Sequence, residues 1–239
     1  MSGTMEEQAP KQEQETSFER QLLSHPLVWV AIAAFLILPF ILRGYLRRVP
    51  APPPVLGTLP AFELTNQDGK PFGLKQIKGQ VTVVGFFFSR CRSICPPLMQ
   101  AMRKLQDRFV RHKIDVRLLS ITVDPGHDTP QRLKAYAKTL GADLSRWTFL
   151  TGPIKKIKAL ALNGFHVAVG NKVKTANFFD ITHTSKLILV DQKGRIRGRP
   201  DNQGNPVGYF SSSKDGLDEV YHRSMHTLWE RFAKKSSSK

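Results

Sequence analysis

Residues 81–109 read VTVVGFFFSRCRSICPPLMQAMRKLQDRF and contain both cysteines of the 239-residue chain. The run from 81 to 88 is apolar and rich in β-branched and aromatic residues, which is typical of a strand buried on both faces. From residue 98 onward apolar residues recur at helical spacing, and the two prolines before them fit a first helical turn. The stretch therefore predicts a strand, a turn and a helix, with Cys91 and Cys95 near the helix N-terminus. The positive end of the helix dipole favours thiolate over thiol there.

The spacing of the two cysteines favours a shared metal ion over a simple disulfide. Side chains at i and i+4 of a helix have Cβ atoms about 5–6 Å apart, whereas a disulfide requires roughly 3.5–4.5 Å. A metal ion with metal–sulfur bonds of about 2.3 Å, as in zinc sites, spans this gap with less distortion. A relaxed turn would still permit a disulfide, and two unrelated buried cysteines are the plainest alternative.

The composition limits the class of protein. The chain has 36 basic and 19 acidic residues, but residues 1–42 contain only two of the basic and five of the acidic ones. The remainder is therefore strongly basic and would attract nucleic acid, anionic lipid or an acidic protein face. Its basic clusters contain no nucleic-acid-binding motif and no aromatic stacking platform, so we exclude a nucleic-acid partner. Two cysteines are too few for a disulfide scaffold.

The chain divides into five predicted segments. Residues 1–21 are predicted to be a disordered tail, 22–42 a transmembrane anchor, 43–58 a Pro-rich linker, 59–233 the folded domain and 234–239 a second disordered tail. A cleaved signal peptide is the alternative to the anchor, but the preceding segment is acidic and no A-x-A-like site follows. The Lys and Arg residues that flank the anchor slightly favour a cytoplasmic folded domain.

Strand and helix patterns alternate through the folded domain and predict an α/β sandwich. Turn signals at Asp68-Gly69 and at residues 192–194 indicate two hairpins, and Thr129-Pro130 indicates a helix start. The other predicted elements are strands at 116–123 and 148–151, a short helix at 153–162 and a final helix at 217–232.

Three blocks of this domain resemble the Sco/SenC family of membrane-anchored, thioredoxin-like copper proteins. They are GKPFGLKQIKGQVTVVGFFFSRCRSICP (69–96), ITVDPGHDTPQRLKAYAKTLGAD (121–143) and FFDITHTSKLILVDQKGRIRG (178–198). The blocks occur in the family's order and at similar spacings, within residues 55–235. The resemblance implies a thioredoxin-like central sheet with flanking helices, binding of Cu(I) and Cu(II), and help in building the binuclear copper centre of cytochrome c oxidase.

Matched position by position, the resemblance implies three copper ligands, Cys91, Cys95 and His183. Two thiolates and an imidazole suit Cu(I) better than zinc, because a closed structural zinc site uses four protein ligands. The family usually has Asp directly before the histidine, where this chain has Thr182. This departure from the family pattern removes an acidic partner or docking charge next to the histidine, which bears on copper affinity and transfer.

The remaining polar candidates are interpreted as structural. Asp124 and Asp128 flank Pro125 in the loop after a predicted strand, which favours turn and N-cap hydrogen bonding. A role near the copper loop is the alternative for both aspartates. Six histidines are interpreted as structural or solvent-facing: His25, His112, His127, His166, His222 and His226.

The resemblance, together with the predicted anchor, implies a single-pass copper metallochaperone of the bacterial inner membrane, with its soluble domain in the periplasm. This orientation follows from the family resemblance, whereas the count of Lys and Arg residues flanking the anchor slightly favours the opposite one. The implied partner is the copper-bearing subunit of cytochrome c oxidase or another periplasmic copper protein. Two alternatives stay open: a thiol–disulfide reductase acting through Cys91 and Cys95, and a redox or copper sensor. His183 discriminates between them, because disulfide exchange does not require an imidazole.

Overall fold

The computed structural model describes residues 26–45, 53–167, 172–175, 178–181, 186–200, 206–208 and 210–236. The chain forms two compact units, Met1–Pro50 and Ala51–Lys239. In the first unit, helix α1 spans Pro26–Tyr45. Among the residues described at side-chain level, no helix is both long and apolar enough to cross a membrane. The predicted N-terminal tail and residues 22–25 of the predicted anchor lie outside the described residues.

The second unit alternates strands and helices, as predicted. Its described strands are β1 (Val55–Thr58), β2 (Glu63–Asn66), β3 (Pro71–Gly73), β4 (Val81–Phe87), β5 (Val116–Thr122), β6 (Trp147–Thr151), β7 (Lys172–Thr175), β8 (Phe178–Ile181), β9 (Lys186–Val190), β10 (Arg195–Arg197), β11 (Arg199–Pro200), β12 (Pro206–Val207) and β13 (Phe210–Ser211). Its described helices are α2 (Leu74–Ile77), α3 (Cys95–Arg111), α4 (Pro130–Thr139), α5 (Ile154–Ala159), which continues into a π-helical turn (Leu160–Gly164), and α6 (Lys214–Ser236).

Nine of the described strands form one mixed sheet. Its order is β1-β10-β9-β4-β5-β6-β2-β3, and β13 also pairs with β9. Strands β4, β5 and β6 are parallel to one another, while β9 and β2 run antiparallel on either side of them. Every residue of β4 is buried, which explains why this central strand reads as an apolar run rather than an alternation.

Helices cover both faces of the sheet. On one face, Phe87 of β4 stacks on Tyr136 of α4, with ring centroids 5.5 Å apart. Successive side chains of a strand point to opposite faces, and Phe86 accordingly meets Phe165, just after the π-helical turn, at 5.5 Å. The mixed α/β sandwich predicted from the sequence is therefore confirmed.

Helix α6 packs against α3 through an aromatic contact. Tyr221 stacks on Phe109 with ring centroids 5.5 Å apart, and the guanidinium carbon of Arg108 lies 3.7 Å from the centre of the Tyr221 ring. Arg108 also forms an ion pair with Asp218. These contacts fix the C-terminal helix beside the helix that begins at Cys95.

Local sequence signals predicted most of the helices and strands correctly. The elements that differ from the prediction are short. Thr129 caps α4, since its hydroxyl oxygen accepts a hydrogen bond from the Arg132 N–H at 3.3 Å, and Gly141 takes the positive φ of 66° that follows the helix. The sequence analysis missed the β7–β8 hairpin and the π-helical turn, which carry no strong local pattern. Strand β1 lies inside the stretch assigned to the linker, because pairing with β10 makes these four residues a strand.

A buried ion cluster fixes the start of the second unit. Asp191 and Arg197 are 3% and 4% exposed, and the Arg197 Nε donates to Asp191 Oδ2 at 2.9 Å. Arg197 also donates to the Pro53 carbonyl at 2.8 Å. Burial alone would raise the pKa of Asp191, but hydrogen bonds from Arg195, Arg197 and the Lys193 N–H outweigh it and lower that pKa below 3.8. The carboxylate is therefore the charged centre of this cluster.

We expect Asp191→Asn to destabilise the protein by about 3–5 kcal/mol at neutral pH, because it removes the carboxylate that accepts a hydrogen bond from the buried Arg197 guanidinium. Urea denaturation measures the difference, with the exposed Asp107→Asn as a control that should cost less than about 1 kcal/mol. A carboxyl with a lowered folded-state pKa stabilises the fold above its unfolded pKa. The gap between wild type and Asp191→Asn should therefore shrink as the pH falls below 3.8. A gap that stays constant into that acid range would contradict this account.

Candidate functional site

The two cysteines lie at the junction between β4 and α3. The Cys91 N–H donates to the Phe88 carbonyl at 3.2 Å, which turns the chain directly after the strand. Helix α3 begins at Cys95, with Pro96 and Pro97 in its first turn. The Cys95 N–H donates to the Cys91 sulfur at 3.3 Å. Both cysteines thus lie at a helix N-terminus, as the sequence predicted, and the Cys91 sulfur accepts a hydrogen bond from the first helical N–H.

The two thiols differ in environment. Both are thiols rather than a disulfide here, and Cys91 is 8% exposed against 1% for Cys95. Burial opposes ionisation of Cys91, but hydrogen bonds from Cys95 and Ser93 outweigh it, so the pKa of Cys91 is lowered. Burial raises the pKa of Cys95 far above that of an ordinary thiol, and the nearby charges of Cys91 and Asp128 add to the increase. Cys91 is therefore the more acidic thiol.

Asp128 binds the start of the loop between β4 and α3, residues 88–94, which we call the cysteine loop. Its carboxylate is fully buried and accepts hydrogen bonds from the Ser89 N–H at 3.0 Å and from the Ser89 hydroxyl. The Thr122 hydroxyl at the end of β5 donates to the same carboxylate. Because β4 and β5 are parallel and adjacent, the loops that follow them meet at one edge of the sheet. Asp128 joins those two loops.

Asp124, in the same loop as Asp128, binds Arg90, the residue after Ser89. Asp124 is buried, and its Oδ2 accepts a hydrogen bond from Arg90 at 2.5 Å. The Asp124 N–H donates to the Thr122 hydroxyl oxygen at 3.1 Å. The interpretation of Asp128 as a turn or N-cap residue is therefore wrong for its carboxylate. Thr129 caps α4, and both carboxylates bind the cysteine loop, which was the alternative.

His127 contacts Ser89 and Asp128, and Tyr136 lies near the charges of Cys95, Asp128 and Cys91. The Nδ1 atom of His127 lies 3.0 Å from Asp128 Oδ1 and 3.3 Å from the Ser89 hydroxyl oxygen. Burial raises the pKa of the Tyr136 phenol, and the nearby charges of Cys95 and Asp128 raise it further. The site thus combines two thiols with a carboxylate, an imidazole and a phenol.

The structure brings together two of the three predicted ligands, Cys91 and Cys95. His183 and the preceding Thr182 lie outside the described residues, so their placement stays a prediction. Among the described residues, no group of three or more His, Cys, Asp or Glu side chains is arranged to hold a metal ion. The sequence analysis missed that Ser89, Asp128 and His127 contact one another beside the turn that carries Cys91. The signal available for them was their position directly after neighbouring strands, where polar loop residues collect.

We expect iodoacetamide to alkylate Cys91 before Cys95 in the metal-free, reduced protein, because the Cys91 thiol is more acidic and more exposed. The rate of Cys91 alkylation should reach its midpoint at a lower pH in the folded protein than in the unfolded chain, since folding lowers the pKa of Cys91. Peptide mass spectrometry after short exposures measures the order. Ser93→Ala should slow the reaction by removing one hydrogen bond, whereas faster alkylation of Cys95 would refute the assignment.

Comparison with known proteins gives this site a family context. A model of the SCO1/SenC family matches residues 54–214. A SCO1 protein homolog from Bacillus subtilis (strain 168) is 36% identical over 136 residues, which are 56% of this chain and 69% of that protein. The sequence similarity therefore includes the cysteine loop and the loop that carries Asp128.

Solved structures show the same fold. A SCO1/SenC family lipoprotein from Bacillus anthracis str. Ames is 32% identical with a TM-score of 0.62, covering 72% of this chain and 95% of that one. BsSco, a member of the Sco family of cytochrome c oxidase assembly proteins with a disulfide switch, is 29% identical with a TM-score of 0.61 over 73% and 96%. Yeast Sco1 with copper bound is 26% identical with a TM-score of 0.53 over 70% and 87%.

These solved proteins share the thioredoxin-like arrangement that the sequence analysis expected, and one of them holds copper. The family model covers more than half of the chain, from just before β1 to the start of α6. The chain therefore belongs to the SCO1/SenC family.

Proposed function

We propose that this chain is a membrane-anchored copper metallochaperone that assists assembly of the binuclear copper centre of cytochrome c oxidase. Its proposed copper ligands are Cys91, Cys95 and His183. One observation carries the proposal: two thiols share a helix N-terminus, where the Cys95 N–H is directed at the Cys91 sulfur at 3.3 Å. This arrangement stabilises a thiolate at the position where a soft metal ion would be bound.

The chemistry of this donor set fits copper as cargo. Thiolate sulfur is a soft ligand that selects Cu(I), and an imidazole also suits Cu(II). A chaperone must release its metal, and Cys91 is the thiolate nearer to solvent, so exchange would begin there. Cys95, buried beneath it, would hold the ion until a partner's ligands replace Cys91.

The relatives support copper and oxidase assembly as the task. Yeast Sco1 has been solved with copper bound, and BsSco is described as belonging to a family of cytochrome c oxidase assembly proteins. Because this chain belongs to the same family and has both cysteines at the β4–α3 junction, we assign it the same cargo. The copper-bearing oxidase subunit, or another periplasmic copper protein, is the proposed recipient.

The proposed location is the bacterial inner membrane, with the second unit in the periplasm. The apolar composition of residues 22–42 supports an anchor of bilayer-spanning length. The Bacillus anthracis relative is a lipoprotein, which supports a membrane-associated soluble domain in this family. Anchoring would keep the cysteines near a membrane-embedded oxidase.

A thiol–disulfide reductase is the second candidate, and the unequal thiols favour it. An acidic, partly accessible cysteine beside a buried one suits attack by the first and resolution by the second. BsSco has a disulfide switch, which supports redox chemistry at the same pair. The reductase would use Cys91 and Cys95 but would not need His183.

We expect His183→Ala to weaken Cu(II) binding more than tenfold, which is about 1.4 kcal/mol, because it removes the nitrogen ligand. Cu(I) binding and reduction of a model disulfide should persist, since both depend on the thiols. Anaerobic Cu(I) titration, Cu(II) titration and disulfide reduction measure the three properties. His222→Ala is the control, and Cys91→Ser or Cys95→Ser should abolish copper binding and exchange. Normal oxidase assembly in copper-limited His183→Ala cells would favour the reductase instead.

We expect a reporter fused after Lys239 to behave as periplasmic, because the proposed recipient exposes its copper centre on that side. Paired alkaline phosphatase and green fluorescent protein fusions measure the orientation, since the first is active only outside the cytoplasm. Strong fluorescence with no phosphatase activity would overturn the orientation and remove oxidase assembly as the task.

A further inference from the structure

Exchange of copper at Cys91 requires a partner to contact the surface around that residue. Bonds between a metal ion and thiolate sulfur are only about 2.3 Å long in zinc sites, so an incoming ligand must come close to the Cys91 sulfur before the ion can move. Cys91 is 8% exposed and Cys95 1% exposed, so the approach is from the Cys91 side. The chemistry of the surrounding surface therefore indicates which kind of partner fits.

On the helix side of Cys91 the exposed surface is apolar. Ile94 is 39% exposed, and Pro96 and Pro97, in the first turn of α3, are exposed as well. Proline has no N–H to donate, and burying its side chain against a partner costs almost no rotamer entropy. A partner that approaches from this side meets three apolar side chains that are already ordered by the start of the helix.

Ile94 occupies a position where an apolar side chain does not favour the helix. It is the N-cap residue of α3 and makes no side-chain capping hydrogen bond. Ser, Thr, Asp and Asn are strongly preferred at this position, because their side chains accept hydrogen bonds from the free N–H groups of the first turn. Local preferences of this kind are typically violated at functional sites. The exposed isoleucine is therefore explained better by contact with a partner than by folding.

The exposed charges of the cysteine loop are positive. Arg92 is exposed, and its side chain forms no ion pair with any residue that the structure describes. The Arg90 side chain, 33% exposed, pairs with Asp124. Both Asp124 and Asp128 are buried. Among the Asp, Glu, Lys and Arg residues of the cysteine loop and of residues 123–129, only the two arginines are not buried. The surface beside Cys91 therefore suits a negatively charged partner.

We propose that Arg92, Ile94, Pro96 and Pro97 form a docking surface for the copper recipient, which we call the cysteine rim. The inference rests on the proposed copper function and adds the chemistry of the partner. The recipient is a protein that presents an acidic group to Arg92 and an apolar patch to Ile94 and the two prolines, beside its own copper ligands. Protein interfaces combine an apolar centre with a polar edge and are enriched in Arg. Complementary charge also increases the rate of association.

Two variants test the cysteine rim, each with a matched control on α3. Arg92→Glu reverses the charge, and Arg111→Glu makes the same change at the far end of the helix, roughly 24 Å from its first residue. Ile94→Ser removes the apolar side chain but places a preferred residue type at the N-cap, so the helix should not be destabilised. Val110→Ser is its control, at a valine that is 47% exposed.

Transfer rates separate docking from release of copper. The full-length protein, in an uncharged detergent, is loaded anaerobically with one equivalent of Cu(I). Transfer is followed to the copper-free soluble domain of the oxidase subunit that carries the binuclear copper centre, and separately to neocuproine, a small neutral chelator. We expect Arg92→Glu and Ile94→Ser to slow transfer to the domain roughly tenfold, with transfer to neocuproine unchanged. Added salt should slow wild-type transfer to the domain and affect Arg92→Glu less. Both controls should transfer at the wild-type rate.

A second measurement does not require copper. Calorimetry of the metal-free protein with the metal-free domain should give a dissociation constant that is roughly tenfold higher for Arg92→Glu and for Ile94→Ser. Wild-type transfer by these variants, equal slowing by the controls, or slower transfer to neocuproine would each overturn the cysteine rim. Wild-type protein that delivers Cu(I) to neocuproine but not to the domain would overturn the proposed recipient together with its docking surface. Failure to take up Cu(I) would overturn the copper function itself.

Discussion

The carboxylate of Asp128 is buried where β4 and β5 end, and the geometry of the site depends on it. A buried carboxylate is costly unless donors surround it, and here the donors come from Ser89, Thr122 and His127. Ser89 is 39 residues away in the sequence, so this hydrogen bonding forms only when the two parallel strands lie side by side. The cysteine loop is thereby tied to the loop that follows β5. A single buried charge thus binds both Ser89, two residues before Cys91, and the His127 imidazole.

The difference between the two thiols follows from their positions at the junction between β4 and α3. Cys91 lies just before the helix and receives the N–H of Cys95, whereas Cys95 is the first helical residue and points into the core. One thiol is thus the more acidic and the slightly more exposed, whereas the other is almost fully buried and resists ionisation. For a metallochaperone this separates a position where exchange begins from one that retains the ion. For a reductase it separates the attacking thiol from the resolving one.

The strong local patterns predicted the scaffold because each reflects a nearby physical requirement. A strand buried on both faces must be apolar throughout, so residues 81–88 identified β4. Prolines are tolerated in a first helical turn, so Pro96 and Pro97 located the start of α3 and placed both cysteines at its N-terminus. Thr129 and Gly141 marked the two ends of α4 in the same way. Elements as short as β1 have no such signal, since pairing with a distant strand creates them.

The sequence by itself therefore determined the central strand, the helix that follows it, the position of Cys91 and Cys95 between them, and the family resemblance. Only the tertiary structure decided what surrounds the thiols. From the sequence, Asp124 and Asp128 were interpreted as turn and N-cap residues, and His127 as structural or solvent-facing. Their side chains reach the cysteine loop because β5 lies parallel to β4, which brings the two loops to one edge of the sheet. Local propensity cannot encode a contact between strands that are distant in sequence. It also cannot encode the burial of Cys95 in the core, which together with the hydrogen bonds to Cys91 makes the two thiols unequal.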